Sequence, residues 1–152
     1  MFNIVLVEPE IPPNTGNVAR LCYANELNLH LVEPLGFPLD DKKLKRAGLD
    51  YWPKIKLTVH ASWAEFQKKL ADQPRYYFST KGTKNHFEAS YQKDSYLIFG
   101  KESKGLSEKL ILAEKEQVYR IPMVSDQVRS LNLSTAVGIV AYEALRQIKY
   151  AI

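Results

Sequence analysis

Three short stretches hold the residue types that could do chemistry. The first is PEIPPNTGNVAR, residues 9–20, with Asn14 and Arg20 six apart. The second is GKESKGLS, residues 100–107, where Gly100 and Gly105 bracket Glu102. The third is PMVSDQVRSLNLS, residues 122–134, where Leu131 and Leu133 space Ser130, Asn132 and Ser134. Amides, hydroxyls, a carboxylate and a guanidinium hold and orient a ligand by hydrogen bonds. Glycine lets a backbone turn with positive φ and approach such a ligand closely. The SLNLS run alternates polar and apolar residues, the period of a half-buried strand. Directly after it Ala136, Val137, Val140, Ala141, Ala144, Leu145 and Ile148 recur at helical spacing. Three polar residues therefore stand where the backbone must change character, and Ser134 is placed to cap the helix.

Other chemistries lack their residues. There is one cysteine, Cys22, so no internal disulfide and no CxxC metal site. It lies on the apolar face of an expected helix and reads as a small buried hydrophobe. His30, His60 and His86 stand apart without metal-ligand spacing and are expected on the surface or at an interface. No GxGxxG follows the first strand, and the P-loop pattern is absent, so nucleotide sites of those kinds are unsupported. No GxSxG nucleophile elbow is present. No metal is expected.

The elements that must position the three stretches follow from patterning. The chain has 152 residues, 45% hydrophobic and 25% charged, which suits one globular domain spanning 1–152. Net charge is +4, which permits a polyanionic partner without demanding one. No apolar run is long enough for a membrane span. MFNIVLVEPE lacks the basic start of a signal peptide, so a cytoplasmic protein is expected. Strands are predicted over 2–7, 29–32, 55–59, 76–80, 96–99 and 118–121. Helices are predicted from a cap at Asn14 or Thr15 to about Leu27, from Asp40 and Asp41 to Gly48, and over 63–70, 107–116 and 132–149. This alternation argues for an α/β fold with a mostly parallel sheet and helices on both faces. Ligands bind such folds at the carboxyl ends of strands. All three polar stretches sit there.

Taken together and in order, PNTGNVAR, LIFGKESKGL and IPM followed by SLNLSTAVGI resemble the three motifs of the SpoU branch of the SPOUT methyltransferases. The resemblance covers the chain from Asn3 to about Gln147, and KRAGLDYW looks like the minimal, single-domain members. The DQVR run at 126–129 departs from the DSRS of other members.

The resemblance implies an α/β domain with a deep C-terminal trefoil knot, which periodicity alone does not suggest. It implies S-adenosylmethionine as donor, S-adenosylhomocysteine as product, and methylation of the ribose 2′-hydroxyl of the tRNA wobble nucleotide in the anticodon stem-loop. Another tRNA position, ribosomal RNA, or a non-catalytic RNA-binding role are the competing readings. The implied donor pocket takes Phe78, Ser79, Gly100, Glu102, Gly105, Ile121, Met123, Ser130, Leu131 and Leu133. In it Leu131 and Leu133 offer apolar surface to adenine, while Ser130 and Asn132 face the reacting oxygen. The implied catalytic set is Asn14, Arg20, Glu102, Ser130 and Asn132. Glu102 is expected to hold Arg20 or Asn14 in place. Arg20 is not expected to act as a base, because guanidinium stays protonated in proteins.

Basic residues fall where RNA would pass. Lys42, Lys45 and Arg46 crowd one short helix, Lys81 follows a strand end, Lys104 follows Glu102 and Arg129 abuts SLNLS. Tyrosines and phenylalanines sit mostly in strand-like runs, so core packing is expected of them. The last helix is apolar on two sides, Ile139 and Leu145 lying well apart around it. A second subunit related by C2 symmetry would suit the outer side, with Tyr142 as a candidate interface residue. The resemblance implies a homodimer through the C-terminal helix and knot region, with Arg20 completing the partner's site.

Overall fold

A computed structural model describes residues 1–150, the side chains of residues 48–50 excepted, so the last two residues of the expected domain lie outside it. The strands are β1 (Asn3–Val7), β2 (Asn28–Val32), β3 (Leu57–His60), β4 (Arg75–Phe78), β5 (Lys84–Asn85), β6 (Tyr96–Phe99) and β7 (Val118–Arg120). The helices are α1 (Pro12–Ala24), α2 (Lys42–Gly48), α3 (Trp63–Leu70), α4 (Glu108–Ala113) and α5 (Leu133–Ile148). Short 3-10 turns occupy Leu49–Lys54, His86–Glu88 and Lys115–Gln117. Among the described residues no helix is long and apolar enough to cross a membrane.

The strands form one sheet in the order β3-β2-β1-β6-β4-β7-β5. Every pairing is parallel. Side chains alternate between faces as the pleat requires. Ile4, Leu6, Leu29, Leu31, Leu97, Phe99, Tyr76 and Phe78 pack with Val18, Ala19 and Cys22 of α1 and with Val137, Val140 and Ala141 of α5. Val5, Val32, Ile98, Tyr77 and Val118 point the other way, onto Phe66 and Leu70 of α3. Burial of both faces explains strands that read as nearly continuous apolar runs. Cys22 is fully buried as expected, and burial pushes its thiol well above the ordinary range.

The topology sets the crevice. The chain steps outward from β1 to β2 and β3, then returns to β4 on the far side of β6. Loops after β1 and β6 diverge where the direction reverses, the usual ligand site of open α/β sheets.

Several local expectations are corrected. α1 begins at Pro12 with Ile11 as its cap residue, so Asn14 and Thr15 lie inside the first turn. Proline suits that start, since its missing N–H would be unpaired there anyway. SLNLS forms no strand. Asn132, not Ser134, caps α5. The 107–116 segment divides into α4 and a 3-10 turn. Asp41 does open α2, its Oδ1 accepting from the Lys43 and Leu44 N–H groups at 2.8 and 3.2 Å.

The histidines are not surface groups, and two of them are not isolated. His60 and His86 are buried. His30 and His60 meet across neighbouring strands with Nδ1 and Nε2 3.0 Å apart. Asn3 Oδ1 lies 3.2 Å from His30 Nε2, and Lys69 Nζ lies 3.5 Å from His60 Nδ1. Burial, then His60 and Lys69, push His30 down to about 4.

Candidate active site

The carboxyl ends of β4, β6 and β7 open onto a cavity of about 430 Å³. Phe78 and Ser79 close one side, at the end of β4. Gly100 to Leu106, after β6, form the second wall. Ile121, Met123 and Arg129 to Leu133 form the third, and Ile11 and Asn14 reach in from the start of α1.

Backbone geometry makes the second wall. A Cβ on Gly100 would lie 2.2 Å from the Gly105 carbonyl carbon and 2.3 Å from the Leu106 nitrogen. The chain can fold back on itself there only with glycine. Gly105, at φ +66°, closes the loop by donating its N–H to the Lys101 carbonyl at 2.9 Å.

Side chains then tie the three loops together. Glu102 accepts from the Glu10 N–H at 2.7 Å, the Ile11 N–H at 3.0 Å and Asn14 Nδ2 at 3.3 Å. Asn132 Nδ2 donates to Asn14 Oδ1 at 2.9 Å. Asn132 Oδ1 accepts from the Ser134 N–H at 2.9 Å, the Ser134 hydroxyl at 2.6 Å and the Thr135 N–H at 3.3 Å. The polarity of this relay is forced. An ionised carboxylate only accepts and a helix N-terminus only donates. Each asparagine between them must turn its NH₂ toward Glu102 and its oxygen toward α5.

Glu10 answers in the opposite direction. Its carboxylate accepts from the Ser103 N–H at 3.0 Å and the Ser103 hydroxyl at 2.8 Å. The loops after β1 and β6 are thus clasped by two carboxylates, each bound to the other's loop. Lys101 pairs with Glu8 beside them. Glu8 and Glu10 escaped sequence reasoning, because nothing in EPEIPP marks a carboxylate that will meet a loop more than ninety residues away.

The structure gathers most of the expected residues. Phe78, Ser79, Gly100, Glu102, Gly105, Ile121, Met123, Ser130, Leu131 and Leu133 all line the cavity, as do Asn14 and Asn132. Asn132 lines the cavity with its amide bonded to Asn14 and to the first turn of α5. Glu102 takes Asn14 and not Arg20. Arg20 is exposed on α1 and does not line the cavity. Lys81, Lys104 and Arg129 stand at its rim, while Lys42, Lys45 and Arg46 are exposed on α2 away from it. Lys81 also pairs with exposed Glu108 at 2.9 Å, a contact of little energetic weight. Leu106, Ile111 and Thr80 line the cavity without having been anticipated. A leucine or isoleucine after a glycine loop carries no signal beyond ordinary packing. Among the described residues there is no group of three or more His, Cys, Asp and Glu arranged to hold a metal ion.

The chain is similar to known proteins over almost its whole length. The family described as SpoU rRNA Methylase matches residues 1–142. A protein of Saccharophagus degradans named tRNA (cytidine(34)-2′-O)-methyltransferase is 50% identical over 152 residues, covering 99% of this chain and 98% of that one. One of the same name from Escherichia coli K12 is 50% identical over 151 residues, covering 99% and 96%. A structure solved to give insight into the 2-OH methylation of C/U34 on tRNA is 48% identical, with a TM-score of 0.94 over 99% of this chain and 97% of that one.

Proposed function

The chain belongs to the SpoU methylase family, and on that premise we propose that it methylates the 2′-oxygen of the wobble nucleotide, position 34, of tRNA. The observation that carries this reading is the Glu102–Asn14–Asn132 relay, which binds three motif loops around one cavity at the carboxyl edge of the sheet.

The residues fit S-adenosylmethionine. Leu106, Ile121, Met123, Leu131 and Leu133 offer apolar surface for a purine, and the loop backbone around Gly100 lies open to it. When bound, the donor supplies an activated methyl carbon on a sulfonium and leaves as S-adenosylhomocysteine. Glu102 has its carboxylate taken by three N–H groups, so its part is to hold loops in place. Asn132 fixes the start of α5 and Ser130 stands at the cavity mouth, exposed. Arg20 grips a substrate phosphate bidentately and lowers the cost of charge developing on the 2′-oxygen. The hydroxyl proton leaves to the substrate phosphate or to water, and rate comes mainly from alignment.

Arg20 lies six residues beyond Asn14, about 9 Å along α1. In this proposal it serves the site of a second subunit, in a C2 homodimer formed through α5, where Ile139 and Tyr142 are exposed. Lys42, Lys45, Arg46, Lys81, Lys104 and Arg129 carry the RNA backbone. The trefoil knot belongs to the same reading. Its support is the path of 121–132, which leaves β7 and delivers Asn132 beside Asn14, on the far side of β4 and β6. The place of action is the cytoplasm.

Unmodified tRNA incubated with the protein and S-adenosylmethionine, then digested and mapped by mass spectrometry, tests the proposal. A methyl group on the ribose of nucleotide 34 is expected. Methylation only elsewhere in tRNA or in ribosomal RNA would replace the substrate. No binding of S-adenosylhomocysteine by calorimetry, with or without tRNA, would overturn the reading.

A further inference from the structure

Not every aromatic ring in this chain is in the core. Tyr23, in the last turn of α1, and Tyr51, in the 3-10 turn after α2, are stacked with ring centroids 5.0 Å apart and planes 26° from parallel. Yet they remain 37% and 38% exposed. A stack made only to staple the two segments would be expected to bury its faces. This one stands on the surface.

Its neighbourhood is basic. α1 packs against α2 and against the turn that holds Tyr51. α2 presents exposed Lys42, Lys45 and Arg46, and Arg20 is one turn before Tyr23 on α1. None of the ion pairs among the described residues uses these four cations. Partly exposed aromatic rings beside these cations suit an unpaired nucleotide, its base on the ring and its phosphates on the cations.

The stack also lies away from α5. Asn14 and Asn25 mark the α5 side of α1 by their bonds to Asn132 at 2.9 Å and Tyr142 at 3.4 Å. At 3.6 residues per turn Tyr23 projects roughly 180° from Asn14, while Arg20 is only about 60° from Tyr23. A second copy docked through α5 would leave the tyrosines on the flank shared with Arg20 and α2.

We propose that the Tyr23–Tyr51 stack is a platform for an unpaired nucleobase of the RNA substrate, adjoining the nucleotide that is methylated. This rests on the proposed function and adds to it the surface that reads the loop around the target. A base stack is tolerant of base identity, since every base has a π face.

The test uses full-length protein and a fluorescent anticodon stem-loop, with Kd measured by anisotropy across a salt series. Tyr23→Leu and Tyr51→Leu should each weaken binding about 5- to 150-fold, the range for one lost base–aromatic stack. Tyr23→Phe and Tyr51→Phe should stay within about 2-fold. The slope of affinity against salt should be unchanged, because no phosphate contact is lost. In case a leucine variant does not fold, wild-type protein is irradiated with a stem-loop carrying 5-iodouridine next to position 34. An adduct on Tyr23 or Tyr51 is expected. Unchanged Kd in folded leucine variants, or adducts only elsewhere, would overturn the platform. So would a drop to monomer mass in light scattering with RNA affinity preserved, which would assign the stack to a second copy of the chain. If the wild type methylates tRNA normally in any of these cases, only the platform fails. If it neither binds nor methylates tRNA, the proposed function fails with it.

Discussion

Glu102→Gln separates a carboxylate that positions from one that takes a proton. The variant is nearly isosteric, and the structure says what it disturbs. Glu102 has only acceptors to offer, and three N–H groups point at it. Glutamine keeps one acceptor oxygen. The better orientation leaves that oxygen with the Ile11 N–H and Asn14, and turns an NH₂ against the Glu10 N–H, now 2.7 Å from Oε2. That loses one charge-assisted bond, worth about 1.5–3 kcal/mol, and weakens the other two to neutral strength. The site is only partly buried, so a net loss of about 2 kcal/mol is expected. In a domain of this size that is a fall in Tm of about 4–8 °C. The loops after β1 and β6 should loosen together, so affinity for S-adenosylhomocysteine falls as well. Differential scanning fluorimetry and calorimetry measure both, and single-turnover methylation gives the chemical step. A general base predicts the reverse pattern. Turnover would drop about 10²- to 10⁴-fold while Tm and product affinity stay put. Wild-type stability and affinity in a chemically dead Gln variant would refute the positioning argument.

Three further outcomes follow from the same geometry. Replacing Lys42, Lys45 and Arg46 together by Ala should weaken tRNA binding and lower its salt slope by about 2, with S-adenosylhomocysteine affinity intact; an unchanged slope would make α2 a merely solvated face. Burial holds His30 near 4 in the folded chain, against about 6.5 unfolded. The unfolded chain therefore binds the proton first, and stability, full above pH 6.5, should fall by on the order of 3 kcal/mol as pH drops to 4. Urea midpoints from pH 7 to 4.5, with His30→Gln as the flattened control, measure this, and a level wild-type curve contradicts it. Finally, Arg20→Ala and Asn132→Ala chains, each inactive alone, should regain about half activity per mixed dimer on subunit exchange if Arg20 serves the partner's site. No recovery, with exchange shown by an independent label, would place both residues in one site.

Much of the sheet was legible because strands buried on both faces leave uninterrupted apolar runs, as in IVLV and YLIF. β5 was missed because two residues, Lys84 and Asn85, carry no period at all. Their pairing to β7 is made by tertiary context. The start of α1 was misplaced for a related reason. Asn14 is a good cap residue by type, yet its side chain is spent on Glu102, and the prolines before it already hold helical φ. The histidines were misjudged because parallel pairing brings β2 beside β3, and spacing along the chain says nothing about that register. Tyr23 and Tyr51 depart from the core packing expected of tyrosines in general, because neither lies in a strand.

The site itself was legible in its members and not in its wiring. Residue types marked the three loops, although glycine, asparagine and serine are also the ordinary residues of turns, and the members of the cavity wall came with the family resemblance. Neither said which side chain bonds to which. SLNLS shows why. Read by type alone, its polar residues can be explained by capping a helix or by building a site. Asn132 does both with one amide: its oxygen satisfies the first N–H groups of α5, and its NH₂ holds Asn14. The free N–H groups of the helix fix which way that amide faces, Glu102 fixes the far end of the chain of bonds, and Asn14 is left one orientation. Local helix chemistry is therefore what pre-organises the cavity. A substitution chosen only for good capping, Asn132→Ser, keeps an oxygen for α5 and still breaks the link to Asn14.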